Sequence, residues 1–473
     1  MTDEFKKWLA SASVRCILAE VKVKVGGVET TRYLSSSHFT SKPTDTPANT
    51  PYAANGDGSL SFGSLDIDNS DCAVDSWLND LWAMREIKIY VGAPYWPRSM
   101  FQAVFTGTVE DISPRARNIL TLKIRDVLAV LNSPVTTAVI GGTGDNKDTI
   151  LPITLGEVFN IEPTLINEFG DPVYQVNQGA IESIIEVRDN GYPVSATFDV
   201  ANGKFTLTNA RYGTITCDVQ GAHIGGAYKN DVGSLVEALA TTLGDGEKVS
   251  SSLFDSAAMT AFKTANPQPV GYFIPDRVNR LQAMQELAAS VGAAVTCSMS
   301  GLVKLAKLEF GTPSRTISSK DMEDGSFSPT SKSSVLGAVQ LAGCKNWTPQ
   351  DAAGLAAALP TASIPLLTEE FVVVKQEDAL VLADYKQSAP AQIDTFLIVE
   401  SDLVSEALRR LNLWKVPRYT YRFTCFAENF DVELGDTITL KYPRFGLDTG
   451  VSAIVMGLET NFMTGRISIE VLV

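Results

Sequence analysis

The sequence predicts a mainly β, multidomain chain with α+β parts: two tube-like β-barrel domains plus smaller inserted β and α/β domains. Three observations predict it. The last stretch leaves a 3.6-residue apolar repeat for a period of two and alternates up to Val473. The first 135 residues alternate in the same way around one short segment bearing Trp77 and Trp82. The length of 473 residues suits about three domains, each with its own core.

Taken in order, residues 2–12 read as a short helix with Phe5, Leu9 and Trp8 inward. Ala19, Val21, Val23 and Val25 alternate with Glu20, Lys22 and Lys24, a half-buried strand that ends at Gly26-Gly27. Residues 35–57 are rich in Ser, Thr, Pro, Asn and Gly and read as a long loop. Loops of that length usually serve a function or touch a partner. Leu60, Phe62, Leu65 and Ile67 continue the sheet. Asp71 is placed to cap a helix whose Val74, Trp77, Leu78, Leu81 and Trp82 form one apolar face. Strands follow at 87–91, 101–105 and 120–124, then a brief helix from Asp126. Residues 1–135 therefore form an N-terminal β-barrel-like domain.

Residues 150–225 read as a small all-β domain, with Asn190-Gly191 and Asn202-Gly203 as hairpin turns. Residues 226–315 read as an α+β domain. Its helices lie near 232–243, 254–265 and 276–291, the last capped by Asp276 with Val278, Leu281, Met284 and Ala288 inward. Two strands follow, at 295–299 and 302–308. Residues 316–473 form the C-terminal β-barrel-like domain with a packed helix. Before that helix, 339–341 is a strand candidate, 351–365 is ambiguous, and 371–374 and 396–399 lead back to the final domain. The helix opens at Ser401 or Asp402 and buries Leu403, Ala407, Leu411 and Trp414; Pro417 stops it. Strands are expected at 419–425, 432–440, 454–458 and 467–473.

These residues carry a resemblance. The order of helix, amphipathic strand, Leu434-Gly-Asp-Thr-Ile-Thr-Leu440, Phe445-Gly446-Leu447 and Ala453-Ile-Val-Met-Gly457 resembles the end of baseplate or tail-tip hub proteins of tailed bacteriophages. The N-terminal pieces at 19–25, 34–40, 59–65, 75–82, 87–92 and 122–128 resemble the start of such hubs in the same order. The repeated hairpins of 150–221 and the strand at 302–308 add to it. The resemblance implies a structural protein of the virion tail tip or baseplate, assembled in the host cytoplasm. It implies a homotrimer in which two barrel-like domains per chain give six similar units. Such a ring joins a six-fold tail tube to a three-fold central fibre or spike. Its partners would be the distal tail protein ring, the fibre or spike and the tape measure protein, and DNA would leave through it. No lysozyme or fibre module is recognisable, which departs from some hubs.

Composition agrees with a soluble globular class: 45% hydrophobic and 20% charged. The N-terminus shows no apolar signal region, and no apolar run is long enough to span a membrane. The six cysteines are scattered, one per segment, and read as single buried thiols. Net charge is −15, against tight binding of a polyphosphate unless a basic patch exists. An acidic or neutral wall would let a duplex slide past; Glu20, Asp66, Asp68, Glu433 and Asp436 are the first candidates for it.

The chemistry-bearing residues are sparse. The two histidines, His38 and His223, have no metal-ligand or nucleophile partner at a recognised spacing. There is no nucleophile elbow, His-Glu-x-x-His or phosphate loop. Asp66-Ile-Asp-Asn-Ser-Asp71 starts like a calcium loop but has Asp71 at the place of the required Gly and Trp77 at that of the closing Glu. The expectation is no catalytic, metal or cofactor site. A β-rich carbohydrate-binding or glycan-degrading protein is the competing class, and an aromatic-lined acidic cleft would favour it.

Overall fold

The computed structural model describes residues 3–11, 14–36, 53–59, 62–142, 146–167, 170–386, 391–461 and 464–473. His38 and most of the Ser/Pro-rich stretch lie outside them. The chain is mainly β and divides into two units. The first holds residues 1–130, 296–333 and 418–473; the second holds 131–295 and 334–417.

The first unit is built on thirteen strands of one sheet. They are β1 (Cys16–Val25), β2 (Val28–Ser35), β3 (Ala53–Ser59), β4 (Phe62–Asp68), β5 (Glu86–Gly92), β6 (Gln102–Ala116), β7 (Ile119–Arg125), β8 (Thr316–Ser318), β9 (Ser328–Lys332), β10 (Tyr419–Phe426), β11 (Thr437–Lys441), β12 (Val451–Asn461) and β13 (Arg466–Leu472). The main path runs β2-β1-β5-β6-β7-β4-β3-β12-β13-β10-β9, and β11 pairs with β12 and, in parallel, with β8. The amino-terminal and carboxyl-terminal strands meet where Ser59 and Gly58 of β3 pair with Glu459 and Thr460 of β12.

Alternation places the core. Val21 and Val23 of β1, Leu65 and Ile67 of β4, Leu122 and Ile124 of β7, Phe423 of β10 and Ile467 and Ile469 of β13 join one apolar cluster. Helix α1 (Asp3–Ala10) adds Phe5 and Leu9, both buried, and packs on the turn at Ala427–Asn429.

The expected helix after Asp71 is a single 3₁₀ turn, Asp75–Asn79. Cys72 sits at φ +60°, and Asp71 accepts from Ala73 N–H instead of capping. The backbone N–H of Leu81, which a longer helix would use, donates to Lys24 of β1. Val74, Trp77 and Trp82 stay buried, while Leu78 and Leu81 face solvent. Residues 53–57, read as loop, belong to β3; the Asn-Gly-Asp-Gly composition hides the strand, and a bulge at Ala54/Gly56 absorbs it. The strand expected at 432–440 forms only as β11, because Gly435 at φ +85° and Asp436, accepting from Glu433 N–H, make a turn before it.

The second unit carries a five-strand path, Tyr192–Pro193, Ile181–Asp189, Ile215–Ile224, Ile153–Ile161 and Gly271–Ile274, beside a four-stranded sheet that includes Ala196–Asp199 and Lys204–Leu207. Asn190 and Gly191 both take positive φ, +47° and +78°, as the expected tight hairpin requires. Its helices are α2 (Val232–Thr241), α3 (Ser256–Ala265), α4 (Arg280–Ser290), α5 (Ile364–Thr368), α6 (Ala379–Asp384) and α7 (Glu400–Trp414). α4 starts later than Asp276 implies: Asn279 caps it, and Arg280 N–H donates to Ser133. Its buried side includes Arg280, Met284, Leu287 and Ala288, with Leu281 only half-buried.

α7 begins at Glu400, with Val399 as an N-cap lacking a side-chain bond. Glu400 and Asp402 lie in its first turn, where the helix dipole favours carboxylates. It buries Leu403, Ala407 and Leu411 against strands Ala338–Gly343 and Val372–Glu377, not against the strands that follow it. Before α7 a strand lies at Ala391–Asp394, and Leu397 makes an isolated bridge with Val270.

Candidate functional site: the charged face of the large sheet

Period two gives the thirteen-strand sheet a second face, opposite its core. On β1 it presents Glu20, Lys22 and Lys24; on β5 Glu86 and Lys88; on β7 Lys123 and Arg125; on β10 Arg422; on β13 Arg466. This face is neither a cation row nor an anion row. Lys22 and Lys88 both approach Glu86, at 3.4 and 3.0 Å. Arg98 pairs with Glu20 at 2.6 Å, Arg422 with Glu459 at 2.5 Å and Arg466 with Glu323 at 3.3 Å. Arg125 bonds Glu110, and Arg115 bonds Asp66.

Two of these acids, Glu86 and Glu110, are held below the usual carboxylate range. Partial burial works against the charged form of Glu86, but Lys88 and Lys22 outweigh it and hold the carboxyl below the usual range. Arg125 does the same for Glu110 chiefly by its hydrogen bond. Glu86 and Glu110 therefore stay ionised beside their cations near neutral pH. Exposed pairs of this kind add little stability each. A polyanion at this face meets charges of both signs.

A polar groove of about 850 Å³ crosses this face where β4 and β7 approach β10, β12 and β13. Glu110, Lys123, Glu323, Arg422, Glu459 and Arg466 line it, and five of these six belong to the pairs above.

The carboxylates expected on a channel wall divide between two settings. Glu20, Asp66 and Asp68 lie on the charged face. Asp66 is held by Arg115 and by Thr121 Oγ1, which donates at 2.7 Å; Asp68 accepts from Ser70 N–H at 3.0 Å. Glu433 and Asp436 lie in the turn before β11. Lys304 Nζ bonds Glu433, and burial pushes the Asp436 carboxyl up. Asp66, Asp68 and Asp71 are thus engaged one by one rather than converging. Among the described residues no group of three or more His, Cys, Asp or Glu is arranged to hold a metal ion. His223 bonds Glu182 at 2.7 Å at an exposed position. Cys16, Cys217 and Cys425 are buried, Cys297 and Cys344 are partly covered, and Cys72 is exposed.

The second unit has an aromatic-lined cleft of about 720 Å³ with Glu162, Asp276, Tyr174, Phe273 and Trp347 around it. Its rings are already engaged. Tyr174 is buried and stacks on Phe205 at 5.2 Å. Trp347 packs parallel to Phe396 at 5.9 Å and beneath Lys345 Nζ at 4.4 Å.

Sequence reasoning found the strands that carry the charged face and several of its acids. It missed the partners Arg98, Arg115, Arg125, Arg422 and Arg466, which lie 15 to 143 residues from the acids they meet. Opposite charges at outward positions of successive strands were the available signal.

No family model matches the chain, and no curated protein matches it. Among solved structures it is similar to the tail protein from Neisseria meningitidis MC58, with 11% identity, 96% of each chain covered and a TM-score of 0.41. A chain of the virion of a native gene transfer agent particle is similar at 13% identity, over 70% of this chain and 85% of that one, with a TM-score of 0.45. The 43 kDa tail protein of prophage MuSo2 from Shewanella oneidensis is similar at 10% identity, over 96% and 98% of the two chains, with a TM-score of 0.38.

Proposed function

We propose that the chain is a structural protein of a phage tail, and specifically its hub. Copies of it form a ring at the tail tip or baseplate that joins the six-fold tube to a three-fold fibre or spike. The charged sheet face lines part of the DNA exit channel. The observation that carries this reading is the pairing of charge over a sheet drawn from both ends of the chain. A wall beside a moving duplex must not hold phosphates, and compensated charge meets that need. Partners in this reading are two further copies, the distal tail ring, the fibre or spike and the tape measure protein. Assembly takes place in the host cytoplasm and the product resides in the virion.

The expected result is that purified protein fails to bind duplex DNA even at ~50 mM salt, where phosphate-driven binding is strong. The triple change Glu86→Lys, Glu110→Lys and Glu459→Lys unpairs the cations on the same face. It should create binding that weakens steeply as salt rises, read by fluorescence anisotropy. Tight, salt-sensitive binding by the unaltered protein would contradict the passive wall.

A further inference from the structure

The cleft of the second unit holds charges that do not pair. Arg211, Glu162 and Asp276 line it together. Among the described residues none of the three makes an ion pair, and Arg211 Nη1 reaches the hydroxyl of Tyr174, at 3.5 Å. The large sheet differs: there Lys22, Arg98, Arg422 and Arg466 each have a carboxylate partner. Opposite charges set around one cleft and held apart keep their donors and acceptors open to whatever enters. Hydroxyls add to the set. Thr149, Thr164, Thr214 and Thr348 line the same cleft, and their side-chain hydroxyls have no hydrogen-bond partner among the described residues.

The apolar part of the lining is fixed in place. Tyr174 and Phe273 are buried, and the Trp347 ring meets Phe273 edge-on at 5.9 Å. Trp347 N–H donates to Phe159 O at 3.2 Å. One further ring is open. Tyr212, the residue after Arg211, is 90% exposed, while its backbone N–H is held by Asp189 at 2.7 Å.

We propose that this cleft binds a neutral saccharide. A sugar hydroxyl both donates and accepts. Glu162 and Asp276 accept from it, Arg211 donates to it, and the threonine hydroxyls do either. Bonds to the charged groups are the stronger ones. The C–H face of a pyranose is apolar and suits the exposed Tyr212 ring, which is apolar on its faces and polar at its tip. Two carboxylates against one guanidinium leave the cleft net negative, which disfavours an acidic sugar or a phosphate. Its volume of about 720 Å³ lies within the usual range for ligand pockets, roughly 300–1,000 Å³. Every residue named lies in the second unit. The proposal is therefore independent of the channel wall, which rests on the first.

The test is isothermal titration calorimetry of the full chain with three soluble probes. Chitotriose and maltotriose are neutral; trigalacturonate is acidic. At least one neutral probe should bind at a single site per chain, and trigalacturonate should not bind. Arg211→Ala and Asp276→Ala should each weaken that binding about tenfold or more, the scale of one lost hydrogen bond to a charged group. Tyr212→Ala should weaken it as well. These three positions are exposed, so folding is retained, and circular dichroism checks it. Should Arg211→Ala fail to fold, Arg211→Gln replaces it. Glu182→Ala, which removes an exposed carboxylate outside the cleft, should bind as the unaltered chain does. Binding of neither neutral probe would overturn the proposal. So would tighter binding of trigalacturonate, or neutral-probe binding that Arg211→Ala and Asp276→Ala leave unchanged.

Discussion

Replacing Arg280 with methionine is expected to cost about 3–4 kcal/mol, the loss of several buried charge-assisted hydrogen bonds. Arg280 is fully buried at the start of α4. Its guanidinium donates to the carbonyls of Leu239 and Leu243 at the end of α2, and to Val135. These are carbonyls that a helix end cannot satisfy by itself. Burial pushes the guanidinium's pKa down, while Asp245 pulls it up. Methionine fills the volume but leaves the three acceptors dry. Lysine keeps the charge but cannot fork to all three, so Arg280→Lys should recover only part of the loss. Urea unfolding of the three proteins reads the order native, lysine, methionine. An unchanged midpoint for methionine would contradict this role.

The second large effect is expected at Glu406, buried on α7. Arg409 Nε and Nη2 and Arg410 Nε all donate to its carboxylate at 2.7 Å, and Arg410 Nη2 continues to Ala289 O at the end of α4 at 2.7 Å. Burial works against the charge, but the two guanidinium groups outweigh it and hold the carboxyl below its ordinary value. A lowered folded pKa contributes stability above the unfolded value, near 4.5, and loses it as pH falls through the folded one. Glu406→Gln should therefore destabilise by about 2–3 kcal/mol at pH 7, the usual scale for one partner removed from a buried pair. The gap between native and variant melting curves should narrow steadily once pH falls below 4.5. A gap independent of pH would contradict the pairing.

Much of the fold was legible because it is local. The alternation of β1, the Asn190-Gly191 turn and the apolar stripe of α7 each depend on residues a few positions apart. What was hidden depends on partners far along the chain. β3 reads as loop, since Asn-Gly-Asp-Gly has little strand preference; its pairing with β4 and β12 makes it a strand. Leu78 and Leu81 read as core, but the Leu81–Lys24 bridge turns them outward. Arg280 falls on the buried side of α4, where no sequence rule expects a cation. The charged face follows the same division. Its outward positions are set by period two, whereas the pairing of Arg422 with Glu459 or Lys22 with Glu86 follows from strand order.

In the proposed hub the charge-paired face of the large sheet lines a channel between copies. The direct measurement is an electron cryo-microscopy map of the assembled oligomer. The expected result is a ring whose lumen shows the Lys22–Glu86, Arg125–Glu110 and Arg422–Glu459 pairs. A ring in which these pairs lie on the outer surface, or are buried against another protein, would contradict it.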